Sequence, residues 1–119
     1  MIKRISLVRR KSTLSRDEFI EYWKGTHANI ALNDKEFWSR VRRYVQNYCV
    51  PDPNDGEGRP VWDGAVELWF DSVEEMNAAY ASANTQNVLM ADLANFIELD
   101  CTISIVTEED VLYAGTSFV

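Results

Sequence analysis

SRDEFIEYWKGTHANIA (residues 15–31) is the stretch from which the fold can be read. Ser15 is followed three residues later by Glu18, the spacing of a capping box. The serine hydroxyl accepts from the third helical backbone N–H, while the glutamate reaches back to the serine N–H. Phe19, Trp23, His27 and Ile30 recur behind this cap at helical spacing, with Tyr22 and Thr26 on the flank, so a helix is expected to about Ala31. A short helical piece, Glu36–Arg40, carries Phe37 onward past Asn33 and Asp34. Upstream, Ile2–Arg10 alternates as a strand, with Ile5 and Leu7 on one face and Ser6 and Val8 on the other. The same signal returns later. Ser72 and Glu75 form a second capping box, launching a helix through Met76, Ala79, Tyr80 and Ala83. Asn84–Asn87 is expected to break or bend it before a further helical segment, Val88–Ile97, presents Leu89, Leu93 and Phe96.

Between the two helical units, Val41–Val50 and Trp62–Phe70 read as strands joined by a loop that begins at Pro51 and closes at Pro60. Cys101–Thr107 reads as the last strand. The order strand, helix, strand, strand, helix, strand predicts an α+β, ferredoxin-like βαββαβ domain: a four-stranded antiparallel sheet with helices on one face. The free face is expected to carry residues such as Ser6, Val8, Val66 or Glu67, depending on register, and is too apolar to stay in water as a broad patch. A homodimer through that open face is therefore expected. The domain is placed at 1–111, with a tail at 112–119; whether its apolar end, Phe118 and Val119, docks on the partner stays open.

Composition bounds the rest. The chain has 119 residues, 46% hydrophobic and 26% charged, which suits one globular domain with one core and excludes a disordered chain. Its apolar runs are far shorter than a bilayer span, and its first ten residues lack the uninterrupted apolar segment of a signal peptide, so a cytoplasmic protein without a membrane is expected. The net charge is −7, a poor basis for holding nucleic acid. Eleven of the twelve Lys and Arg fall in residues 1–50, and fourteen of the nineteen Asp and Glu in residues 51–119. The two halves are expected to attract one another within the fold or across a dimer. Cys49 and Cys101 read as small buried hydrophobes, and a single histidine cannot complete a usual zinc site with them, so no metal is expected. Neither a phosphate-binding glycine loop nor a Rossmann fingerprint is present, which disfavours nucleotide-dependent chemistry.

His27 is the sole histidine and the side chain best suited to proton transfer near neutrality. It lies on the inward stripe of its helix, either as a base and acid or as a core histidine held by a carbonyl or a carboxylate. Tyr44, Gln46 and Tyr48 share one face of their strand, and Arg43, Asn47 and Cys49 the other; which set faces the helices stays open. Tyr44 is the candidate to polarise a substrate carbonyl, with Asn47 as a second polar contact. Glu67, inside an apolar strand, is either a partner of Arg42 or Arg43 or a pocket acid with a raised pKa. Trp23, Trp69 and Phe96 are candidate walls for a flat substrate, and Asn95 either binds a ligand carbonyl or caps its helix.

Several of these stretches together resemble the EthD family of the dimeric α+β barrel superfamily. They are Leu14–Phe19 leading into Trp23-Lys24-Gly25-Thr26-His27-Ala28, then Arg43–Asn47, Asp63–Ser72, and Asn95-Phe96. The family often has proline two residues after the helix histidine, where this chain has Asn29. The resemblance implies two protomers pairing their sheets into an eight-stranded barrel, with a pocket in each between the sheet and the first helix. It also implies small enzymes without metal or organic cofactor: lyases, isomerases or cyclases acting on aromatic or enolisable carbonyl compounds such as polyketides and lactones. Two alternatives accompany it. One is a cofactor-free monooxygenase or haem-handling protein, and the other a non-catalytic accessory dimer that binds a small molecule.

Overall fold

In the computed structural model, residues 1–51 and 61–116 are described; the expected loop beyond Pro51 and the Phe118-Val119 end lie outside them. Strands β1 (Ile2–Val8), β2 (Arg43–Tyr48), β3 (Gly64–Phe70) and β4 (Ile103–Glu108) make one antiparallel sheet in the order β2-β3-β1-β4. This is the ferredoxin-like order that the element sequence predicts, and the sheet is open rather than closed into a barrel. β3 begins at Gly64, two residues later than the alternation suggests. There the Asp63 carboxylate accepts the Arg10 backbone N–H at 2.8 Å, while Asp63 N–H donates to the Val8 carbonyl.

The first crossover is a continuous helical run, α1 (16–33), made of an α segment Arg16–Glu21, a π turn Tyr22–His27 and an α segment Ala28–Asn33. Both bonds of the Ser15–Glu18 capping box are present. The π turn explains the buried stripe. Phe19, Trp23, His27 and Ala31 are all buried, at strict four-residue steps that drift by about 40° each in an ideal α-helix. Widening one turn absorbs a residue and returns the four to a single line facing the sheet. The short helix α2 (Lys35–Trp38) is capped by Asp34, whose Oδ1 accepts the Phe37 N–H.

In the second crossover, α3 (Val73–Ala81) starts on the Ser72 cap as expected. The break comes at Ser82, ahead of the expected Asn84, because a serine ends one helix and caps the next. Its ψ is 144°, and its hydroxyl accepts the Thr85 N–H at 3.1 Å. The following run, α4 (83–95), contains a π turn Thr85–Met90 and a 3₁₀ turn Leu93–Asn95. The fully buried Thr85 hydroxyl donates to Asp34 Oδ2 at 2.7 Å. One carboxylate thus caps α2 and ties the two crossovers together.

The pairings Ser6↔Val66, Val8↔Gly64 and Ile5↔Glu67 assign the faces. Ser6, Val8 and Val66 point to the helices, so of the four residues expected on the free face only Glu67 lies there. That face carries Ile5, Leu7, Val45, Ala65, Ile103 and Ile105, with Ile103 and Ile105 about half exposed. On the helix side the core has two parts. One gathers Phe37, Leu68, Phe70, Met76 and Leu89; the other gathers Val8, Phe19, Trp23, Phe96 and Ile97.

The two oppositely charged halves of the chain meet within the fold. Lys3 pairs with Glu67 and Glu109, Arg10 with Asp63, Arg40 with Glu75, and Arg42 with Asp71. Glu67 therefore pairs with Lys3 rather than with Arg42 or Arg43, because Lys3 stands beside it on the neighbouring central strand.

The Trp23 indole packs against Gly64, where a Cβ would overlap the ring and come within 3.0 Å of the Asn47 carbonyl. Gly64→Ala is expected to displace the indole and cost about 1–3 kcal/mol, the scale of overpacking. Urea denaturation checks it, and an unchanged midpoint would show that the ring yields freely.

Candidate functional site

Between the two parts of the core lies a cavity of about 130 Å³. α1 contributes Trp23 and His27, β1 Arg4 and Ser6, and β2 Tyr44, while Leu89 and Leu93 of α4 and then Phe96 close the other side. Phe96 is held there by its chain neighbours. Lys11 N–H donates to the Phe96 carbonyl, and Arg10 bridges to Ile97, so the end of the second crossover is stitched to the strand leading into α1.

His27 is buried, and its Nδ1 lies 2.8 Å from Asp92 Oδ2. Asp92 is buried too, and its other oxygen accepts from the Tyr22 hydroxyl at 2.6 Å and from Asn95 Nδ2 at 2.9 Å. Burial opposes the Asp92 charge, but these three hydrogen bonds outweigh it and hold the carboxyl below its usual range. An ionised carboxylate accepts only, so Nδ1 carries the imidazole proton and Nε2 keeps a lone pair. Nε2 has no hydrogen-bond partner among the described residues. Burial pushes the His27 pKa down, and the bond to Asp92 offsets that only in part. The imidazole is therefore neutral at neutral pH, with the Phe96 ring 4.9 Å from its own.

Tyr44 lines the same cavity. Its hydroxyl accepts from Gln46 Nε2 at 2.6 Å, and Gln46 also accepts from Tyr48 and bonds the Trp23 carbonyl. Burial raises the Tyr44 pKa, keeping the phenol protonated. The face of β2 that the sequence leaves open is thereby assigned: Tyr44, Gln46 and Tyr48 meet the helices.

The structure thus brings together His27, Tyr44, Trp23 and Phe96. Asn95 is exposed and reaches the site only through Asp92. Asn47, Glu67 and Trp69 are not brought to this cavity; the two-residue period of β2 and β3 sends them to the free face. There Asn47 donates to Glu67 at 2.9 Å, and Trp69 donates to Glu109 at 3.0 Å. Lys3 and Arg43 lie over the Trp69 ring. The bond to Lys3 lowers the Glu67 pKa, so this is a paired surface acid, not a pocket acid with a raised pKa. The residue that sequence reasoning missed is Asp92. Its signal was available: it is the sole charged residue in the apolar segment from Val88 to Ile97. Among the described residues no cluster of three His, Cys, Asp or Glu is arranged to hold a metal ion, and no helix is long and apolar enough to cross a membrane.

A family model described as the EthD domain matches residues 11–100. Among solved structures, an ethyl tert-butyl ether d (EthD) family protein from Bacillus halodurans superposes with a TM-score of 0.70 at 19% identity, covering 92% of this chain and 99% of that one. An EthD-like protein from Ralstonia eutropha gives 0.69 at 15% identity, covering 95% and 96%. A dimeric protein of ferredoxin-like fold from Bacteroides fragilis gives 0.64 at 16% identity, covering 91% and 95%. These likenesses establish the fold. No significant match was found among curated proteins.

Proposed function

The chain belongs to the EthD domain family, and on that premise we propose that it is a small enzyme that moves protons on an enolisable carbonyl compound without a cofactor, as a lyase, isomerase or cyclase. The observation that carries this reading is His27 at the wall of a mainly apolar cavity, with Nδ1 on Asp92 behind it and Nε2 unengaged among the described residues. His27 Nε2 takes a proton from the carbon beside the carbonyl and returns it to another atom. Asp92 holds the imidazole in its tautomer and balances the transient imidazolium charge. The Tyr44 hydroxyl, which accepts from Gln46, keeps its own proton to donate to the carbonyl oxygen as it becomes an enolate. Trp23 and Phe96 wall the carbon skeleton. The test is exchange of solvent deuterium into the α position of candidate substrates, compared between the protein and its His27 variants.

The free face of the sheet supports a homodimer as the working unit. Ile103 and Ile105 stay half exposed in the single chain, continuous with Ile5 and Leu7 on β1. Ile105→Glu, which places a charge in the middle of that face, is expected to turn the dimer into a monomer in sedimentation velocity. A dimer that survives the substitution would move the interface elsewhere.

A further inference from the structure

The cavity beside His27 contains a cation that the proton-transfer reading leaves unused. Arg4, in the middle of β1, stands between Leu68 of β3 and Val106 of β4, on the helix face. It lines the cavity with its guanidinium 5.0 Å from the centre of the Tyr80 ring. Burial pushes the Tyr80 hydroxyl up to about 12, so that ring stays neutral beside it. Lys3, Arg10, Arg40 and Arg42 each have a carboxylate partner. Among the described residues Arg4 has none and makes no hydrogen bond, and neither Asp nor Glu is among those that line the cavity.

A cation partly withdrawn from water into an apolar wall without a counter-ion is costly, and an anion arriving from outside relieves that cost. Guanidinium geometry favours a carboxylate, which it grips through two parallel bonds. Two residues further along the same face, the Ser6 and Ser104 hydroxyls are bonded to each other at 2.7 Å and also line the cavity, adding short polar contacts beside Arg4. The volume of about 130 Å³ approaches the ~150 Å³ of an apolar cavity that takes benzene. It suits one ring. We propose that the site takes a single-ring carbon acid bearing a carboxylate, with the carboxylate on Arg4 and the ring reaching His27. This inference rests on the reading of His27 as the base, but it makes a separate claim about charge.

The test uses benzoate and benzamide, which share a ring and a shape and differ in charge, measured by calorimetric titration at neutral pH. The intact protein is expected to favour benzoate at least tenfold. Arg4→Met is expected to bring the two within threefold, whereas Arg4→Lys and Arg43→Met, the latter removing a cation from the free face, keep the preference. Equal binding of the two probes, no binding of either at millimolar concentration, or a preference unchanged in Arg4→Met would overturn the proposal. The intact protein alone decides the first two outcomes should Arg4→Met fail to fold. His27→Gln separates the two readings. A benzoate preference that depends on Arg4, together with deuterium exchange indifferent to His27, removes the enzyme and leaves the anion site; exchange lost in His27→Gln without an Arg4-dependent preference does the reverse.

Discussion

Replacing His27 by alanine or glutamine is expected to leave a folded protein whose deuterium exchange into the α position of single-ring ketones and lactones falls by about 10²–10⁴-fold, the scale of losing a positioned acid–base group. Asp92 is not orphaned by the change, because it keeps the Tyr22 and Asn95 bonds, and in His27→Gln the new side-chain amide can still donate to it. Glutamine is the sharper variant: it fills the site and restores the donor but cannot take a proton. Exchange within threefold of the unaltered protein, in a variant with an unchanged circular dichroism spectrum, would overturn the assignment. Stability supplies a second readout. The His27 pKa is lowered in the folded state, so between the unfolded value near 6.5 and the lower folded value the unfolded chain binds more protons. Stability therefore falls as pH drops through that window, and the His27 variants are expected to lose this part of the dependence.

The parts of the site that local sequence patterns reveal are those carried by local chemistry. Ser15 with Glu18 and Ser72 with Glu75 announce their helices because a cap is satisfied within four residues. The inward stripe from Phe19 to His27 is periodic, and it places the histidine correctly. What a single strand cannot announce is which of its faces meets the helices. Alternation says that Tyr44 and Asn47 oppose each other, but only the pairing of Tyr44 with Leu68 across β2 and β3 puts the tyrosine inside and Asn47 outside. The same ambiguity made Glu67 and Trp69 look like pocket residues. They are neighbours of Lys3 and Glu109 on the free face, and Lys3 lies 64 and 106 residues from its two carboxylate partners in the chain. Asp92 was hidden for a related reason. Its partner, His27, lies 65 residues away, and no local motif joins two crossover helices. The π turn in α1 was equally invisible, since an i, i+4 stripe reads as ordinary helix until the drift over three steps is counted.

Asp92→Asn is expected to reduce exchange about 10²-fold and to move the acid limb of the pH profile downward, two effects with separate causes. The carboxylate only accepts, which keeps the proton on Nδ1 and the lone pair on Nε2. An asparagine can offer its amide N–H to Nδ1 instead, allowing the proton to shift to Nε2, where it blocks the base. The plateau falls for that reason. The limb moves for another. Proton abstraction requires neutral imidazole, so activity is lost as pH falls through the His27 pKa, which already lies below 6.5. Burial is the larger influence lowering it, and Asp92 opposes burial. Removing the negative charge leaves burial unopposed, so the pKa falls further and the limb follows it to lower pH. A merely structural role for Asp92 predicts the opposite sign, because a loosened site admits water, relieves the desolvation of His27 and raises its pKa towards 6.5. As His27 is the sole histidine in the chain, its ring protons can be followed by NMR in both proteins without assignment. A titration midpoint that rises in Asp92→Asn would make Asp92 a packing residue; one that falls, together with the lost plateau, identifies it as the group that positions the base.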